Sequence, residues 1–473
     1  MQFDTLLIDS LTSELRIARV QDGILQDLEV HRPGAGRRAG DILLGRVKAV
    51  VPGIRGAFVD IGDERDGFLA FPEKSGKSPV TEGQSVIVQV RSEAMAEKGA
   101  RLATKVNLSG FYVVFMPGQP GVHVSRQAKS KDKELSAKLS AIVTRIIRPG
   151  DGAIIRTAAL DAGDQACALV EQEITSLCDQ WIDAEALKSQ RNAPAELCPG
   201  PDPVFAALGE YHQSGLRRIV IDGAGAFARI RTHIQATLPS LEAALERHTG
   251  TLPLFEAEGL EEQIDQALVP HVDLPSGGSL AIVVTPACIT VDVDSSTASS
   301  KGNRGEVINN TNMEACQALL YQLQLRNLAG HIVIDFISSK DRSAGKTLLK
   351  QLEEQGSDQS VPFEVAGFTR LGLVECLRRR RSLSLADILC GHSNKTVRSP
   401  LSVAYDVLRA LYGEGRANPG RTLAIKASTA VYGLLNNGMS DDLKTVQGDL
   451  GVDVTISISE NGNDHTEFEI YTQ

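Results

Sequence analysis

Three aspartates stand where chemistry could begin. Residues 288–294 read Cys-Ile-Thr-Val-Asp-Val-Asp, a β-branched run in which Asp292 and Asp294 share one face because strand side chains alternate with a period of two. A second apolar run, His331-Ile-Val-Ile-Asp335-Phe-Ile, ends likewise on a carboxylate, Asp335. Hard oxygen donors of this kind suit Mg²⁺ or Mn²⁺, which keep several waters, take few protein carboxylates and leave room for phosphate oxygens. An aspartate at a strand end also serves simply to cap a turn, and the residue pattern leaves both readings open.

The segment between the two runs must position them. Thr311-Asn-Met-Glu314 has the spacing of a capping box, which predicts a helix starting there. Met313, Leu320, Leu323 and Leu325 form its apolar stripe, and Ala329-Gly330 its stop. Strand, helix, strand in this order implies a right-handed crossover with the strands parallel, so both aspartate-bearing ends emerge on one edge of a sheet.

The whole chain bounds what such a site could serve. At 473 residues it allows about three domains on a prior of roughly 150 residues each. Hydrophobic content of 42% with 23% charged residues describes a soluble globular protein. No run approaches the roughly 18 apolar residues that span a bilayer. Met1-Gln-Phe-Asp-Thr lacks the basic and apolar regions of a secretory signal, so a cytoplasmic protein without a membrane partner is expected. Seven cysteines stand singly with no CxxC pair, which fits a reducing compartment and argues against a zinc ribbon. A net charge of −10 means that any nucleic-acid binding must be local rather than global. None of the nine histidines sits in a convincing acid/base pair.

Along the chain, residues 1–30 carry three apolar runs that read as short antiparallel strands, and residues 32–38 form a loop. From Gly40 to Thr104 short strands at 42–47, 56–61, 67–69 and 85–90, separated by turn glycines, suggest a small barrel. Residues 110–117 and 152–157 read as strands, the second ending on Arg156 and Thr157. A guanidinium fork with a hydroxyl grips a terminal phosphate better than an internal one; a surface ion pair is the other reading of Arg156. Residues 164–190 predict a long amphipathic helix packed through Val170, Ile174, Leu177 and Trp181. Four prolines between Pro194 and Pro203 suggest a domain joint. Residues 217–222 predict a buried strand, and 225–236 and 239–247 predict helices. Arg378 to Arg381 read either as a phosphate-contacting cluster or as a solvated helix face. Residues 401–473 predict a small α+β unit: helix 401–411, a loop over 413–420, strand 423–426, helices 430–436 and 441–448, strands 452–459 and 466–471.

The motifs together resemble a known family. Asn309-Asn-Thr-Asn312-Met-Glu314-Ala, Gln322-Leu-Gln-Leu-Arg326-Asn-Leu-Ala-Gly330 and Ile334-Asp335-Phe-Ile resemble the catalytic core of bacterial ribonuclease E/G. Leu274-Pro-Ser-Gly-Gly-Ser279 before them and Arg370-Leu-Gly-Leu-Val-Glu375 after them match in order and spacing. Gly45-Arg46-Val47, Pro52-Gly53, Ala57-Phe58-Val59-Asp60 and Gly67-Phe68-Leu69 resemble that family's OB-type RNA-binding barrel.

The resemblance implies a multidomain α/β and α+β fold, in which an OB barrel and a 5′-phosphate sensor are inserted in a ribonuclease-H-like layer, followed by a DNase-I-like catalytic domain and a small α+β domain. The implied boundaries are 1–38 and 201–268 for the two parts of the ribonuclease-H-like layer, 39–105 for the barrel and 106–200 for the sensor. The catalytic domain takes 269–385, a linker 386–400 and the small domain 401–473. The layer is expected to have lost its own catalysis, making Asp222 structural. The implied activity is Mg²⁺-dependent endonucleolytic cleavage of single-stranded RNA to 3′-hydroxyl and 5′-monophosphate ends, favouring 5′-monophosphorylated substrates, with Mn²⁺ able to substitute. Asp292 and Asp335 would hold the ion, with Asp294 beside them in the catalytic group. Phe58, Phe68 and Lys98 would contact RNA, and Gly110, Val114, Arg156 and Thr157 would sense the 5′ phosphate.

Three departures stand out. The family usually has Asn where this chain has Asp294, and a carboxylate accepts where an amide also donates. Ser338 stands where an acid is often found. Cys390-Gly-His392 replaces the CxxC that shares zinc between subunits, so no zinc is expected, and a homodimer or higher oligomer would form without that link. The alternative reading is an RNA-binding member with weak or lost cleavage.

Overall fold

The structure is a computed structural model that describes residues 3–34, 36–71, 79–94, 98–125, 132–211, 215–295, 304–339, 342–357, 361–380, 382–391, 396–459 and 467–472. The chain divides into two compact units, one of Met1–Arg32 with Ser214–Gln473 and one of Pro33–Gln213. Among the described residues no helix is long and apolar enough to cross a membrane.

In the middle unit, strands Ile42–Val51, Gly56–Asp60, Gly67–Ala70, Arg101–Ala103 and Ser85–Ser92 pair in that order, and the last pairs back to the first. The result is a closed five-stranded barrel, as an OB-type domain requires. Alternation along the strands sends Leu43, Val47, Val59, Leu69, Val88 and Leu102 to its core. Within the proline-marked stretch, Ala195–Cys198 forms a strand against Leu44 to Ile42. Its prolines flank the paired stretch, where a missing N–H costs no ladder bond.

A second sheet in this unit orders Gly121–Val124, Gly152–Ile155, Val113–Met116 and Leu108–Ser109. Helices Lys133–Ile146 and Ala166–Gln190 cover it through Leu139, Val143, Val170, Ile174 and Leu177. The second is the helix predicted over 164–190, and Trp181 packs partly buried against the same core. The first has no counterpart in the sequence reading.

The other unit holds three sheets. Thr5–Asp9 lies between Leu15–Gln21, antiparallel, and Arg218–Asp222, parallel, so the start of the chain pairs with a segment about 210 residues on. The expected helix at 239–247 is a 3₁₀ turn, Pro239–Ala244, running into strand Leu245–Arg247 on the edge of this sheet. The closing sheet places Leu423–Ala427 between Val454–Ile458, parallel, and Phe468–Thr472, antiparallel. Helix Pro400–Ala417 continues into the expected glycine loop and leaves 418–422 outside it. Gly415 serves close packing there: a Cβ would lie 2.5 Å from Leu450 Cδ1.

The middle sheet of this unit orders His271–Asp273, Ser279–Val284, Ile289–Asp294, Gly330–Asp335, Val374–Arg378 and Phe363–Phe368. Ile289–Asp294 alternates buried and exposed without a break, as a sheet with one covered face requires. Helices Arg304–Leu325 and Arg342–Ser357 cover one face through Leu319, Leu320, Leu323, Leu348 and Leu352. The first begins seven residues before the predicted cap, so Thr311 and Asn312 are interior and buried. It stops where Asn327 adopts φ +48°, a conformation asparagine tolerates better than most residues.

Candidate active site

Asp292 and Asp335 are register partners on adjacent parallel strands, and both are exposed on the face that no helix covers among the described residues. Neighbouring strands lie about 4.8 Å apart, so the two carboxylates are close enough to share one small cation. The donor set, two oxygen ligands open to solvent, fits Mg²⁺ or Mn²⁺ with the remaining positions left to water and phosphate. Asp294 is exposed on the same face, opposite Ser279. Among the described residues no group of three His, Cys, Asp or Glu side chains that could hold a metal is found.

The family-like motif around 309–314 fixes the loops at this edge. The Asn312 side chain donates to the Ile337 carbonyl at 2.8 Å and accepts from the Ile337 N–H at 3.0 Å, standing in for a neighbouring strand just past Asp335. Glu314 accepts from the Ser276 N–H at 2.9 Å. Gly278 allows close approach: a Cβ would lie 2.7 Å from the Asp294 carbonyl oxygen and 2.8 Å from Thr311 Cγ2. Helix and glycine turn thus brace the ends of the Asp292 and Asp335 strands.

The arginine cluster divides rather than acting together. Arg378 ends a strand with its guanidinium buried, donating to the Leu328 carbonyl at 2.7 Å. Arg379 and Arg380 are exposed, while Arg381 lies outside the described residues. Neither a helix face nor a four-cation patch forms, because strand alternation turns Arg378 inward. Arg326, also buried, donates to Gln322 at 2.6 Å, and burial pushes its guanidinium down to about 10 despite the opposing influence of Tyr321.

In the middle unit, Arg156 donates to the Gly110 carbonyl at 3.0 Å, and Thr157 and Ser125 hydroxyls lie 2.9 Å apart. Val114 lies on the adjoining strand, half-buried and paired with Ile154. Sequence reasoning missed Glu173. It projects from the long helix and accepts the N–H groups of Phe111, Tyr112 and Val113 at 2.6, 2.6 and 2.7 Å. Burial raises its carboxyl, against the lowering by these backbone donors and by Arg156. The helix predicted only to pack therefore also holds the loop that carries Gly110. An acid on the inward side of an amphipathic helix was the available signal.

On the barrel, Phe58 and Phe68 are cross-strand partners with ring centroids 5.7 Å apart at 59°. Phe58 is 38% exposed and Lys98 is exposed. Cys390 is buried, and His392 lies outside the described residues.

A second aspartate pair has the opposite fate. Asp9 and Asp222 are also register partners on adjacent parallel strands, but both are fully buried. Arg16 and Arg409 contact Asp9 at 2.7 and 2.6 Å, and Arg416 contacts Asp222 at 2.7 Å. Burial pushes the Asp9 carboxyl up, but Arg409 and Arg16 outweigh it and hold it at about 2. Guanidinium groups thus stand against both carboxylates, as the structural reading of Asp222 expects.

Residues 107–381, more than half of the chain, match the model of the ribonuclease E/G family. Ribonuclease G of Escherichia coli is 32% identical over 96% of each chain, and ribonuclease G of Haemophilus influenzae is 32% identical over 93% of each. Ribonuclease E of Haemophilus influenzae is 29% identical over 94% of this chain and 50% of its own length. With that coverage and the motifs at the edge of the six-stranded sheet that carries Asp292 and Asp335, the chain belongs to the ribonuclease E/G family.

Proposed function

We propose that this chain, an endoribonuclease of the ribonuclease E/G family, cuts single-stranded RNA at Asp292 and Asp335 and favours substrates with a 5′ monophosphate. One observation carries the reading: two exposed aspartates stand in register on adjacent parallel strands of the same sheet. Mg²⁺ or Mn²⁺ held there would supply Lewis-acid stabilisation of the charge that builds on the scissile phosphate. Hydrolysis joins a water oxygen to phosphorus and breaks the bond to O3′. One product keeps a 3′ hydroxyl and the other a 5′ monophosphate.

The chain's own groups support these steps. Asn312 fixes the backbone two residues past Asp335, so the second carboxylate is held in place before substrate arrives. Phe58 and Phe68 offer aromatic faces on which bases stack, and Lys98 offers a cation to the backbone. Arg156 and Thr157, on the strand end beside the Gly110 loop, are suited to a terminal phosphate, which offers more charged oxygens than an internal one.

A second reading rests on Asp294, a further exposed carboxylate on the same face where it repels phosphate: an RNA-binding protein with weak or lost cleavage. The deciding experiment uses a short single-stranded RNA bearing either a 5′ monophosphate or a 5′ hydroxyl, in Mg²⁺. Cleavage by the wild type, lost in Asp292→Asn and Asp335→Asn, supports the nuclease. Binding of both RNAs with no cut, even in Mn²⁺, establishes the binding protein instead.

A further inference from the structure

The catalytic sheet carries a feature that the two aspartates do not use. A cleft of about 550 Å³ opens at its edge, between the helices Arg304–Leu325 and Arg342–Ser357 and the segments after Asp335 and Phe368. Phe336, Ile337 and Ser338, the residues directly after Asp335, line it. Two residues of extended chain cover about 7 Å, so the cleft begins about that far along the chain from Asp335, on the helix-covered side of the sheet edge, and a strand that passes over the carboxylates on the open face reaches it across that edge. Ligands of open α/β sheets characteristically bind outside the carboxyl ends of parallel strands, and Asp292 and Asp335 mark those ends here.

Its lining selects a kind of ligand. Met313, Ile337, Leu349 and Phe368 are apolar, Asn309 adds an amide, and Lys346 is the one charged side chain among the described lining residues. No carboxylate lines the cleft among those residues, although the chain as a whole carries a net charge of −10. A flat, weakly polar group attached to a phosphate backbone matches this composition; a cation or a basic peptide does not.

The orientation of Phe368 depends on an irregularity. The pairing of its strand shifts between Val365 and Gly367, which sets Phe368 opposite Val374. Val374 faces the helix-covered side, so the extra residue turns the phenyl ring toward the cleft, as a bulge does when it re-aims a side chain. Gly345, on the opposing helix, faces the ring: a Cβ there would lie 3.4 Å from it, at van der Waals contact. Even so, Phe368 remains 45% exposed, and a ring face is left for stacking.

Resting on the nuclease reading above, we propose that this cleft is a base-binding subsite. It takes the nucleobase of a nucleotide next to the scissile phosphate, stacked on Phe368 between Met313 and Ile337, with Asn309 facing the polar edge of the base and Lys346 the adjoining phosphate. Base–aromatic stacking of this kind tolerates every base and contributes about ten-fold per base to binding, so the subsite fixes the strand's register with modest sequence preference.

The test is an abasic scan. Single-stranded RNAs that lack one base at a time around the cut are cleaved by the wild type, Phe368→Ala, Phe368→Tyr and Lys346→Ala. At one flanking position the missing base should lower wild-type kcat/KM by about ten-fold. Phe368→Ala should show that loss on intact RNA and no further penalty from the missing base, while Phe368→Tyr should behave as the wild type. An abasic penalty of unchanged size in Phe368→Ala, or no penalty near the cut, overturns the subsite while leaving the nuclease reading intact. A second arm needs no cleavage: 4-thiouridine is placed at each position in turn and cross-linked to the Asp292→Asn protein. Adducts on the peptides holding Met313 or Phe368 support the subsite. Their absence from RNA that still binds overturns it. If the wild type cuts no RNA at all, the nuclease reading fails by itself and the cross-link still judges the cleft.

Discussion

Asp292 and Asp335 are paired by geometry and left open to solvent, so removing either charge should affect chemistry and not folding. Asp292→Asn and Asp335→Asn are each expected to lower cleavage by about a hundred-fold or more, since metal-based charge stabilisation contributes several kcal/mol. Exposed substitutions typically change stability by no more than about 0.5 kcal/mol, so thermal melting of both variants should match the wild type. Asp294 lies two residues on, about 7 Å along the same face. Removing that negative charge is worth about 0.6 kcal/mol at solvent dielectric, so Asp294→Asn should raise kcat/KM about three-fold, more at low salt than at high. In the middle unit, Arg156→Ala should lower the preference for a 5′ monophosphate over a 5′ hydroxyl by about ten-fold, the scale of a charge-assisted hydrogen bond. Paired measurements on the two RNAs read that ratio directly, and an unchanged ratio would remove Arg156 from the sensor.

The helix between the two aspartate-bearing strands both connects and clamps. Its buried Asn312 completes both hydrogen bonds of the Ile337 peptide. Asn312→Ala leaves a partly buried N–H and carbonyl without their side-chain partner, at a cost of about 1 kcal/mol, seen as a lower urea midpoint. It should lower kcat through Asp335 and raise KM through Ile337, which Asn312 holds directly and which flanks the proposed base subsite. The capping-box spacing at Thr311 to Glu314 misled for a related reason. Glu314 reaches the Ser276 N–H instead of the helix start, so its position reflects a tertiary contact. Gly413 and Gly415 read as a loop from composition, yet the helix runs on to Ala417 and its glycines serve packing, with Pro253 beside Gly413 and Leu450 where a Gly415 Cβ would stand.

Within the unit formed by both ends of the chain, a buried ionic network ties the helix Pro400–Ala417 to the first strands. Arg409 reaches Asp9 at 2.6 Å and Glu14 at 2.7 Å. Arg409→Met would leave two buried carboxylates without their main partner, and loss of one member of such a pair costs about 3–5 kcal/mol. Denaturant melts should show it. The Asp9 carboxyl sits at about 2 in the folded protein against an ordinary 3.8, so the unfolded chain binds protons first as the pH falls. Its contribution, about 2 kcal/mol, is complete above roughly pH 4 to 5 and is lost as the pH drops through 3.8 toward 2. Asp9→Asn should flatten acid unfolding in that window, and an unchanged acid limb would show that Asp9 does not govern it.

What the sequence determined by itself was local or carried by family-like motifs. Period-two alternation put Asp292 and Asp294 on one face, the strand, helix, strand order made the two strands parallel, and the motifs from Leu274 to Glu375 identified the family. The barrel strands were legible for the same reason, since turn glycines and alternation are written within a few residues. Tertiary structure alone decided what depends on partners far along the chain. It aligned Asp292 with Asp335 in register, turned Arg378 inward, brought Glu173 to the Gly110 loop and aimed Phe368 into a cleft through a one-residue shift in pairing. It also gave two similar aspartate pairs opposite fates. Asp9 and Asp222 end continuous apolar strands and are sealed by Arg16 and by Arg409 and Arg416 from a helix about 400 and 190 residues on, whereas Asp292 and Asp335 are exposed; the apolar runs signal burial, but which cations seal it is decided only by the tertiary structure.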